Sequence, residues 1–525
     1  MLDRVAKFFC SLRLTVVLLS AGVVLVFVGT MAQVHEGLFA AQVRYFKSWY
    51  IWKPTIVDGT WPILLPGGYL IGSLLLLNLV AAHIKRFKFK AEKISIQMIH
   101  GGVVLLLLGQ LLTDALSQES SMRLFEGSSS NYSEDFRANE LVLTDTSDPT
   151  SDLVVSIPES RVARKGEIHD GSLPVTVRVK DYWPNCDVED LPPPAAVPVA
   201  ADRGSFTNMA VLALPENAPA DDQARFASLV EIVSDKGSLG TFLVPKLTQQ
   251  EQMQGAGEQT FAAGGHDWAL AMMFAPMLGG NLLAVSRAGD MGGESMVTFP
   301  EADLQGKGEL KAGAFPFKIR VKGYWAKCLL YRNPRSNSVH PQVTQGLLTG
   351  AFVTPEPLVT DTDHRNLPAA VVELSNAKGP LGTWLLTTAP ERPVETLNLG
   401  GKNYRMAFQF KRYYKPYSIG LMKFNHDQYK GTRIPSNFSS RIRLVNPRSN
   451  EDREVLIKMN TPLRYDGTTY YQAGFDERRS DVTILEVVTN PGWLTPYFAC
   501  LMVGTGLIMQ FMSHLIGFAT KRRIA

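Results

Sequence analysis

The sequence has little cysteine and contains none of the short motifs of the common enzyme classes. Its four cysteines include no CxxC pair, which argues against thiol–disulfide catalysis by this chain itself. There is no GxSxG, no P-loop and no kinase motif. The nine histidines form no HxH, HExxH or Cys/His metal spacing, so a zinc site has no support.

An excess of charge of one sign is also absent. The formal net charge is +4, and 19% of residues are charged while 45% are hydrophobic. Basic clusters beside apolar segments account for this excess, so it gives no reason to expect a nucleic-acid partner. Tryptophan is sparse as well, with eight residues and no rich cluster.

Four long apolar segments are present, and they divide the chain very unevenly. Each is near the ~20 residues that cross a hydrocarbon core of about 30 Å. They are Leu12–Ala32, Pro62–Ala82, Ile96–Leu116 and Trp493–Ile516. The polar stretch Ser117–Pro491 separates the third from the fourth. The pattern predicts a membrane protein whose bulk lies on one side of a bilayer.

Basic residues beside these segments predict the orientation. The three clusters are Arg4, Lys7 and Arg13; Lys85, Arg86, Lys88, Lys90 and Lys93; and Lys521, Arg522 and Arg523. All fall on one side if every segment spans, as the positive-inside rule requires. Both termini are then cytoplasmic and the large domain is external. A cleaved signal ending at Ala32 is the alternative, although the apolar run Leu14–Met31 exceeds the usual core of roughly 7–15 residues.

The external part contains an internal repeat. Residues 174–186 and 316–328 share seven of 13 positions, and so do residues 230–242 and 372–384. Both pairs have an offset of 142, and a weaker third pair, Gly264–Ala271 and Gly400–Ala407, follows at 136. Three matches in the same order predict two copies of one module.

Alternating apolar residues predict that the module is built from strands. Val175, Val177 and Val179 alternate with polar residues, which is typical of half-buried strands. The predicted fold class is a membrane protein of α+β type, with four transmembrane helices and a large, mostly β extracytoplasmic domain of two sandwich- or barrel-like modules. The predicted parts are three helices within 1–116, an interfacial helix around 38–52, a linker or first strand at 117–139, modules at 140–300 and 301–491, and a last helix with a basic tail at 492–525.

Two histidines at the ends of predicted spans are candidate ligands. His83 ends the second span and His100 begins the third, so both lie at the cytoplasmic edge of the bilayer. An ionisable side chain at membrane depth is a functional hypothesis by default, and imidazole is a common axial ligand of haem iron. Gly101 and Gly102 would let a flat macrocycle approach the helix. Interfacial anchoring is the alternative for both histidines, and His514 is a weaker third candidate.

The first external loop is rich in aromatic residues. Leu38–Trp52 has an amphipathic pattern with Arg44 and Lys47 on its polar side, which is typical of a helix lying in the interface. The simpler interpretation is a belt of aromatic residues that anchors the loop at the membrane interface. The more specific one is a binding surface for a planar ligand near His35.

The cysteines fall into two groups. Cys10 and Cys500 lie near or in membrane helices and suit packing. Cys186 and Cys328 occupy equivalent positions of the two copies, outside, where oxidation is permitted. Because separation cannot be read from sequence, a disulfide and two free thiols both stay open.

Several segments resemble the ResB (CcsB) family of bacterial cytochrome c assembly, the System II pathway. They are Ile99–Asp114, Met122–Gly127, Lys415–Val445, Ile457–Asp476 and Asn490–Trp493. The resemblance implies the bacterial cytoplasmic membrane as location and a CcsA (ResC) partner that carries a tryptophan-rich haem-handling segment. Together they would carry haem outward and present it, as transiently bound haem b, to the CxxCH motif of apocytochrome c.

The resemblance also implies roles for particular residues. His100 matches the family's axial haem ligand, His83 is the fallback, and the second ligand is expected from the partner. Apart from the resemblance, strand edges of the β modules could hold a disordered apocytochrome segment, and Tyr429–Ser440, with Pro435 and Asn437, is the candidate contact loop. The chain is then a subunit of a holocytochrome c synthase complex and is not active alone. A non-catalytic scaffold and a haem- or quinone-linked electron-transfer subunit are the alternatives.

Overall fold

The computed structural model describes most of the chain. The described residues are 7–56, 59–86, 93–149, 151–215, 217–219, 223–247, 259–275, 280–290, 296–306, 308–310, 315–361, 364–389, 394–428, 435–476 and 479–524. Arg4, Lys88 and Lys90 of the basic clusters therefore lie outside the described residues, as do residues 429–434 of the candidate contact loop.

Four helices are long and apolar enough to cross a membrane in the described part of the chain. The helices in chain order are α1 Leu12–Glu36, α2 Leu38–Ala41, a π-helix Gln42–Phe46, α3 Gly68–Arg86, α4 Ile94–Leu116, α5 Glu159–Val162, α6 Glu301–Gln305 and α7 Thr495–Ile524. These four candidate spans are α1, α3, α4 and α7, and they agree with the predicted segments in number and order.

Two of the wrong helix boundaries share one cause. The second span begins at Gly68 instead of Pro62, and the interfacial helix ends at Phe46 instead of Trp52. Strand β1, Tyr50–Trp52, pairs antiparallel with strand β4, Leu64–Pro66. The apolar residues that extended both predicted helices thus form a small hairpin, and apolar content alone does not distinguish a strand from a helix.

The remaining structure is almost entirely β. Between α1 and α3 lie β1, β2 Thr55–Ile56, β3 Gly59–Thr60 and β4. After α4 come β5 Gln118–Phe125, β6 Ser129–Asp145, β7 Leu153–Pro158, β8 Gly166–Ile168, β9 Thr176–Trp183, β10 Cys186–Glu189, β11 Val197–Pro198, β12 Met209–Ala213, β13 Arg225–Ser234, β14 Gly237–Pro245, β15 Gln259–Ala263, β16 His266–Ala275, β17 Gly280–Arg287, β18 Val297–Pro300, β19 Glu309–Leu310, β20 Lys318–Arg332, β21 Phe352–Pro355, β22 Ala369–Asn376, β23 Gly379–Thr387, β24 Glu395–Leu399, β25 Lys402–Gln428, β26 Pro435–Asn446, β27 Glu451–Lys458, β28 Leu463–Tyr465, β29 Thr468–Asp476 and β30 Arg479–Thr489.

The sheet next to the membrane helices is the largest, and we call it the large sheet. Its order is β27-β26-β25-β6-β5-β30-β29-β28, with β7 and β24 attached. A local bridge between Lys458 and Thr461 spans the turn between β27 and β28. Its strands β5 and β6 occupy the predicted linker 117–139, so that region is an integral part of the sheet.

Two smaller units contain the repeated segments, and we call them unit A and unit B. Unit A contains the sheet β23-β22-β9-β8, packed on β7, β24 and the adjoining parts of β6 and β25. Unit B contains the sheet β11-β12-β20-β13-β14, packed on the sheet β15-β16-β17-β18. Each unit has its own apolar core, with a tryptophan in each: Trp384 in unit A and Trp268 in unit B.

The repeated segments form the same pairings in both units. In unit B, Val230, Glu231 and Ile232 face Val321, Arg320 and Ile319; in unit A, Val372, Glu373 and Leu374 face Val179, Arg178 and Val177. Corresponding residues of the two units are 142 positions apart in the chain. The shifts in strand register that the two units share fall at equivalent places. An Asn–Glu–Tyr cluster also recurs, as Asn139, Glu159 and Tyr182 in unit A and as Asn281, Glu301 and Tyr324 in unit B.

The pairings cross the predicted module boundary between residues 300 and 301. β9 of the first copy pairs with β22 of the second, and β20 of the second pairs with β13 of the first. Units A and B therefore do not coincide with the predicted modules at 140–300 and 301–491. Unit B is continuous between β11 and β20, unit A flanks it in sequence, and the large sheet flanks unit A.

Candidate functional site

His83 and His100 lie side by side at one end of the helix bundle. His83 is near the last turn of α3 and His100 is in the second turn of α4. Their ring centroids are 6.4 Å apart, with 68° between the ring planes. The side chain of His83 is half-buried and that of His100 is exposed. The antiparallel α3–α4 hairpin thus brings together the two histidines that the sequence singled out.

His514 lies toward the same end of the bundle but has a different setting. Its Nε2 is 2.8 Å from Nε2 of Gln510, one turn earlier on α7. Ser95 Oγ donates to Gln510 Oε1 at 2.5 Å. Gln510 thus joins α4 to α7, and His514 contacts Gln510 within its own helix. Among the described residues, no group of three or more His, Cys, Asp or Glu side chains is arranged to hold a metal ion.

The glycines after His100 pack against α7. A Cβ added at Gly102 would lie 2.6 Å from Val503 Cγ2 and 2.8 Å from the carbonyl oxygen of Ala499. A Cβ added at Gly101 would lie 3.3 Å from Met502 Cε. These glycines let two helix backbones approach closely, as small residues do in membrane bundles. The sequence-based interpretation, that they make room for a macrocycle, is therefore replaced by helix packing.

The outer end of the bundle is closed by a polar network around Glu36. Arg44 pairs with Glu36 at 2.5 Å, and the hydroxyl of Thr55 donates to the same carboxylate. Tyr45, predicted as an interfacial aromatic, is fully buried, and its hydroxyl accepts the backbone N–H of Thr55 at 2.8 Å. Arg44 is thus held by the protein instead of lying on a free polar face.

The rings around this network fit an anchor belt. Trp49, Tyr50, Trp52 and Trp61 are all more than half exposed. Exposed aromatic rings at the outer helix ends are typical of membrane interfaces. Arg137 stacks on Phe39 at 3.5 Å to the ring centroid and so fastens this loop to the β domain.

The segment Asn490–Trp493 fastens the large sheet to the helices. Asn490 Oδ1 accepts the N–H of Gly492 at 2.8 Å, and Asn490 Nδ2 is 3.3 Å from Thr113 Oγ1 on α4. Arg464 lies over the Trp493 ring at 4.0 Å. The turn therefore sets where α7 leaves the sheet and how it meets α4.

The interior of the large sheet brings distant segments together. Met122 and Leu124 of β5 share a core with Tyr417 of β25 and Tyr470 of β29. The hydroxyls of Tyr417 and Tyr470 are 2.8 Å apart. Burial raises the pKa of Tyr417, so the pair stays protonated and hydrogen-bonded at neutral pH.

Comparison with known families concerns this same region. The model of the ResB-like family matches residues 392–492. This part of the chain is ResB-like. The ResB-like segment contains β24 to β30 and ends at the turn before α7. This match confirms the family resemblance predicted for Lys415–Val445 and Ile457–Asp476, whereas Ile99–Asp114 and Met122–Gly127 lie outside the matched residues.

A protein relative supports the same resemblance over a limited length. Protein NrfI of Wolinella succinogenes is 30% identical to this chain over 118 residues. The aligned part is 22% of this chain and 13% of NrfI. The chain therefore spans only a small fraction of that relative's length.

The equivalent cysteines are separate thiols. Cys186 and Cys328 are both free and buried, in different core clusters. The Sγ of Cys186 contacts the carbonyl oxygen of Leu367 at 3.5 Å, and that of Cys328 contacts the carbonyl oxygen of Arg225 at 3.2 Å. The disulfide alternative is therefore excluded by the fold.

Sequence reasoning missed two polar residues within the apolar helices. Asn78 accepts a hydrogen bond from Thr15 Oγ1 at 2.7 Å and joins α3 to α1. Asp114 pairs with Lys47 at 2.8 Å and accepts the hydroxyl of Tyr69. An isolated Asn or Asp within an apolar run is a signal that could have identified both.

Proposed function

We propose that this chain acts in cytochrome c biogenesis. With a CcsA/ResC-type partner, it carries haem outward and supports covalent attachment to the CxxCH motif of apocytochrome c. One observation carries the proposal: the ResB-like segment leads directly into α7, and α7 packs along α4, the helix that bears His100. The part of the chain with the family resemblance is thus coupled to the candidate ligand.

The proposed location is the bacterial cytoplasmic membrane, with both termini cytoplasmic and the large domain periplasmic. Support comes from the basic residues before α1, between α3 and α4, and after α7, which all belong to one side when four helices span. The histidine pair is then at the cytoplasmic face, where newly made haem is available.

The proposed cofactor is haem b, bound transiently, with His100 as an axial ligand. Haem supplies an iron that takes axial imidazoles and vinyl groups that react with cysteine thiols. His83 would be the alternative ligand, because its ring lies beside that of His100 at the same end of the bundle, with 6.4 Å between the ring centroids. The partner is the expected source of the second ligand in the assembled complex.

The external contact for apocytochrome c is proposed near the start of β26. Residues 435–440 of the candidate segment Tyr429–Ser440 pair with β25, and Asn437 Nδ2 contacts Asp427 Oδ2 at 3.3 Å. A disordered peptide binds readily to the edge or end of such strands. Because no tryptophan-rich segment is present in the sequence, we place haem presentation on the partner and expect no synthase activity from this chain alone.

The test is a spectrum of the purified complex. The chain is co-expressed with a CcsA-like partner, and reduced spectra are recorded for wild type, His100→Ala, His83→Ala and His514→Ala. We expect His100→Ala to lose the b-type band and exogenous imidazole to restore it. His514→Ala is the matched control, because its ring faces Gln510 at the same end of the bundle.

Each other result has a definite meaning. An unchanged band in His100→Ala, with loss in His83→Ala, transfers the ligand role to His83. No band in any sample, with cytochrome assembly intact in His100→Ala, favours the scaffold. A stable band that titrates reversibly without the partner favours an electron-transfer subunit.

We further propose that the repeated segments belong to two copies of one module, which supply equivalent strands to units A and B. Identical strand register, equivalent irregularities and the repeated Asn–Glu–Tyr cluster support the duplication. The copies have exchanged partner strands, so that each unit contains part of both.

A further inference from the structure

A cleft lies between α3 and α4 at the outer ends of both helices. It has a volume of about 350 Å³, within the range of small-molecule sites. The π-helix closes one side through Phe46. The cleft is at the opposite end of α3 and α4 from His83 and His100, so it is distinct from the proposed haem site.

The walls of this cleft are apolar. They are formed by Phe46, Leu76, Leu107 and Leu111. Gly72 lies on the α3 side, and a Cβ added there would meet no atom within 4 Å. The missing side chain of Gly72 therefore leaves space that an apolar group could fill.

One end of the cleft is polar but electrically balanced. Lys47 Nζ lies 2.8 Å from Asp114 Oδ1, and the Tyr69 hydroxyl donates to the same carboxylate. The two formal charges cancel. A ligand headgroup would therefore meet both donors and acceptors but no net charge.

Gln110 adds a polar group with an unusual position. Its side chain lines the cleft and is exposed, six residues before the end of α4, or about 9 Å along the helix. Across the described residues, its amide shows no hydrogen bond to the protein. A polar group at membrane depth is costly without a partner, so this amide is suited to receive one from outside the chain.

We propose that the cleft binds the ring headgroup of a membrane-soluble quinone or quinol. Such a ring is neutral, its oxygens accept or donate hydrogen bonds, and its isoprenoid tail matches the apolar walls. A phospholipid headgroup fits less well, because its phosphate needs a cation and Lys47 is already bonded to Asp114. This inference does not depend on the haem-handling role.

The experiment is photolabelling of the full chain in phospholipid nanodiscs. The probe is an azido-ubiquinone, with decylubiquinone as competitor, and labelled peptides are mapped by mass spectrometry. We expect saturable labelling within residues 46–76 and 107–114. Gly72→Leu fills the cleft and should weaken binding at least tenfold. Gln110→Leu removes one hydrogen-bonding group and should weaken it about three- to tenfold.

Gly504→Leu is the matched control. It places the same side chain on α7, at a glycine whose added Cβ also meets no atom within 4 Å. It should bind the probe like wild type. Equal loss in Gly504→Leu and Gly72→Leu would overturn the proposal, because the effect would then be general to the bundle.

Three further results would also overturn it. Absence of saturable labelling in wild type removes the site. Displacement of the probe by phosphatidylglycerol as efficiently as by decylubiquinone assigns the cleft to a lipid. Complete protection by the co-expressed CcsA-like partner, with no quinone competition, assigns it to a helix of that partner. Loss of the haem band in the histidine variants has no bearing on any of these results.

Discussion

At the scale of single residues, buried polar side chains hold the membrane helices in place. Asn78 is 3% exposed and contacts three groups at the start of α1. Its amide nitrogen donates to the carbonyl oxygens of Phe9 at 2.6 Å and Ser11 at 3.2 Å, and its oxygen accepts from Thr15. Because lipid offers no alternative partner, these bonds fix the position of α1 on α3.

We expect Asn78→Leu to destabilise the bundle by about 2 kcal/mol, since three interhelical bonds of about 0.6 kcal/mol each are lost. Thr15→Val removes one of them and should cost about a third as much. Thermal unfolding in detergent measures both. Equal stability of Asn78→Leu and wild type would show that the bonds are replaced by lipid or water.

The buried cysteines give a second residue-scale prediction. Burial raises the pKa of Cys186 and of Cys328 to about 12. Because the thiolate is the reacting species, neither should react with N-ethylmaleimide at pH 8 in the folded chain. Both should react after unfolding, and reduction should not change gel mobility. An exposed control, Lys236→Cys in the β13–β14 turn, should react at once; labelling of Cys186 at the same rate would contradict the fold.

Sequence could predict which residues matter at this scale more easily than what they touch. His83 and His100 were identified because charge is rare in apolar spans. Their adjacency depends on the α3–α4 hairpin, which joins residues 17 positions apart in the chain. The pairing of Lys47 with Asp114 joins residues 67 positions apart, and no local pattern encodes it.

At the scale of elements, α4 and α7 pack through small residues. Ser95, Gly102 and Gly109 recur every seven positions on α4 and are all buried. Gly506 of α7 faces Ser95, and Thr495 faces Gly109. A seven-residue spacing keeps one stripe of a helix facing its neighbour, so these residues determine how closely the two helices approach.

Gly102→Leu should separate these helices, because the added side chain meets Val503 and the Ala499 backbone. Overpacking of this kind costs about 1–3 kcal/mol. We expect a lower melting temperature and greater sensitivity to trypsin in detergent. Gly504→Leu is the matched control and should melt within about 0.5 kcal/mol of wild type. A partial rescue of Gly102→Leu by Val503→Ala would confirm the contact.

The elements also show where sequence reasoning stops. The repeat identified equivalent strands, and their registers agree at every pair. It could not show which copy each strand joins. The repeated segments share seven of 13 positions, so their sequences alone do not show whether β9 pairs with β13 or with β22.

At the scale of the whole molecule, the large sheet, unit A and unit B are nested in the order of the chain. The large sheet uses both ends of the external chain, unit A lies within it in sequence, and unit B lies within unit A. Glu189, at the last strand before unit B, pairs at 3.2 Å with Arg332, at its end. The chain therefore enters and leaves unit B at neighbouring points.

This nesting predicts that unit B is dispensable for folding. Replacing residues 190–332 with four Gly or Ser residues should leave a membrane-inserted protein with a cooperative thermal transition, because four residues span up to about 13 Å. The core of unit A contains no residue of unit B. Removal of residues 118–137 is the comparison and should abolish folding, since it deletes β5 and half of β6 from the middle of the large sheet. Aggregation of both deletions would contradict independent units.

The pairing of β5 with β30 has a consequence for timing during synthesis. Strand β5 ends at Phe125, and its partner β30 begins only at Arg479, more than 350 residues later. At roughly 5–20 residues per second, β5 waits about 20–70 s for that partner. Unit B, whose strands are continuous in sequence, can fold during this interval. The sheet that joins both halves of the membrane bundle is therefore the last to form, so a ribosome that stops early releases a chain in which α4 lacks α7.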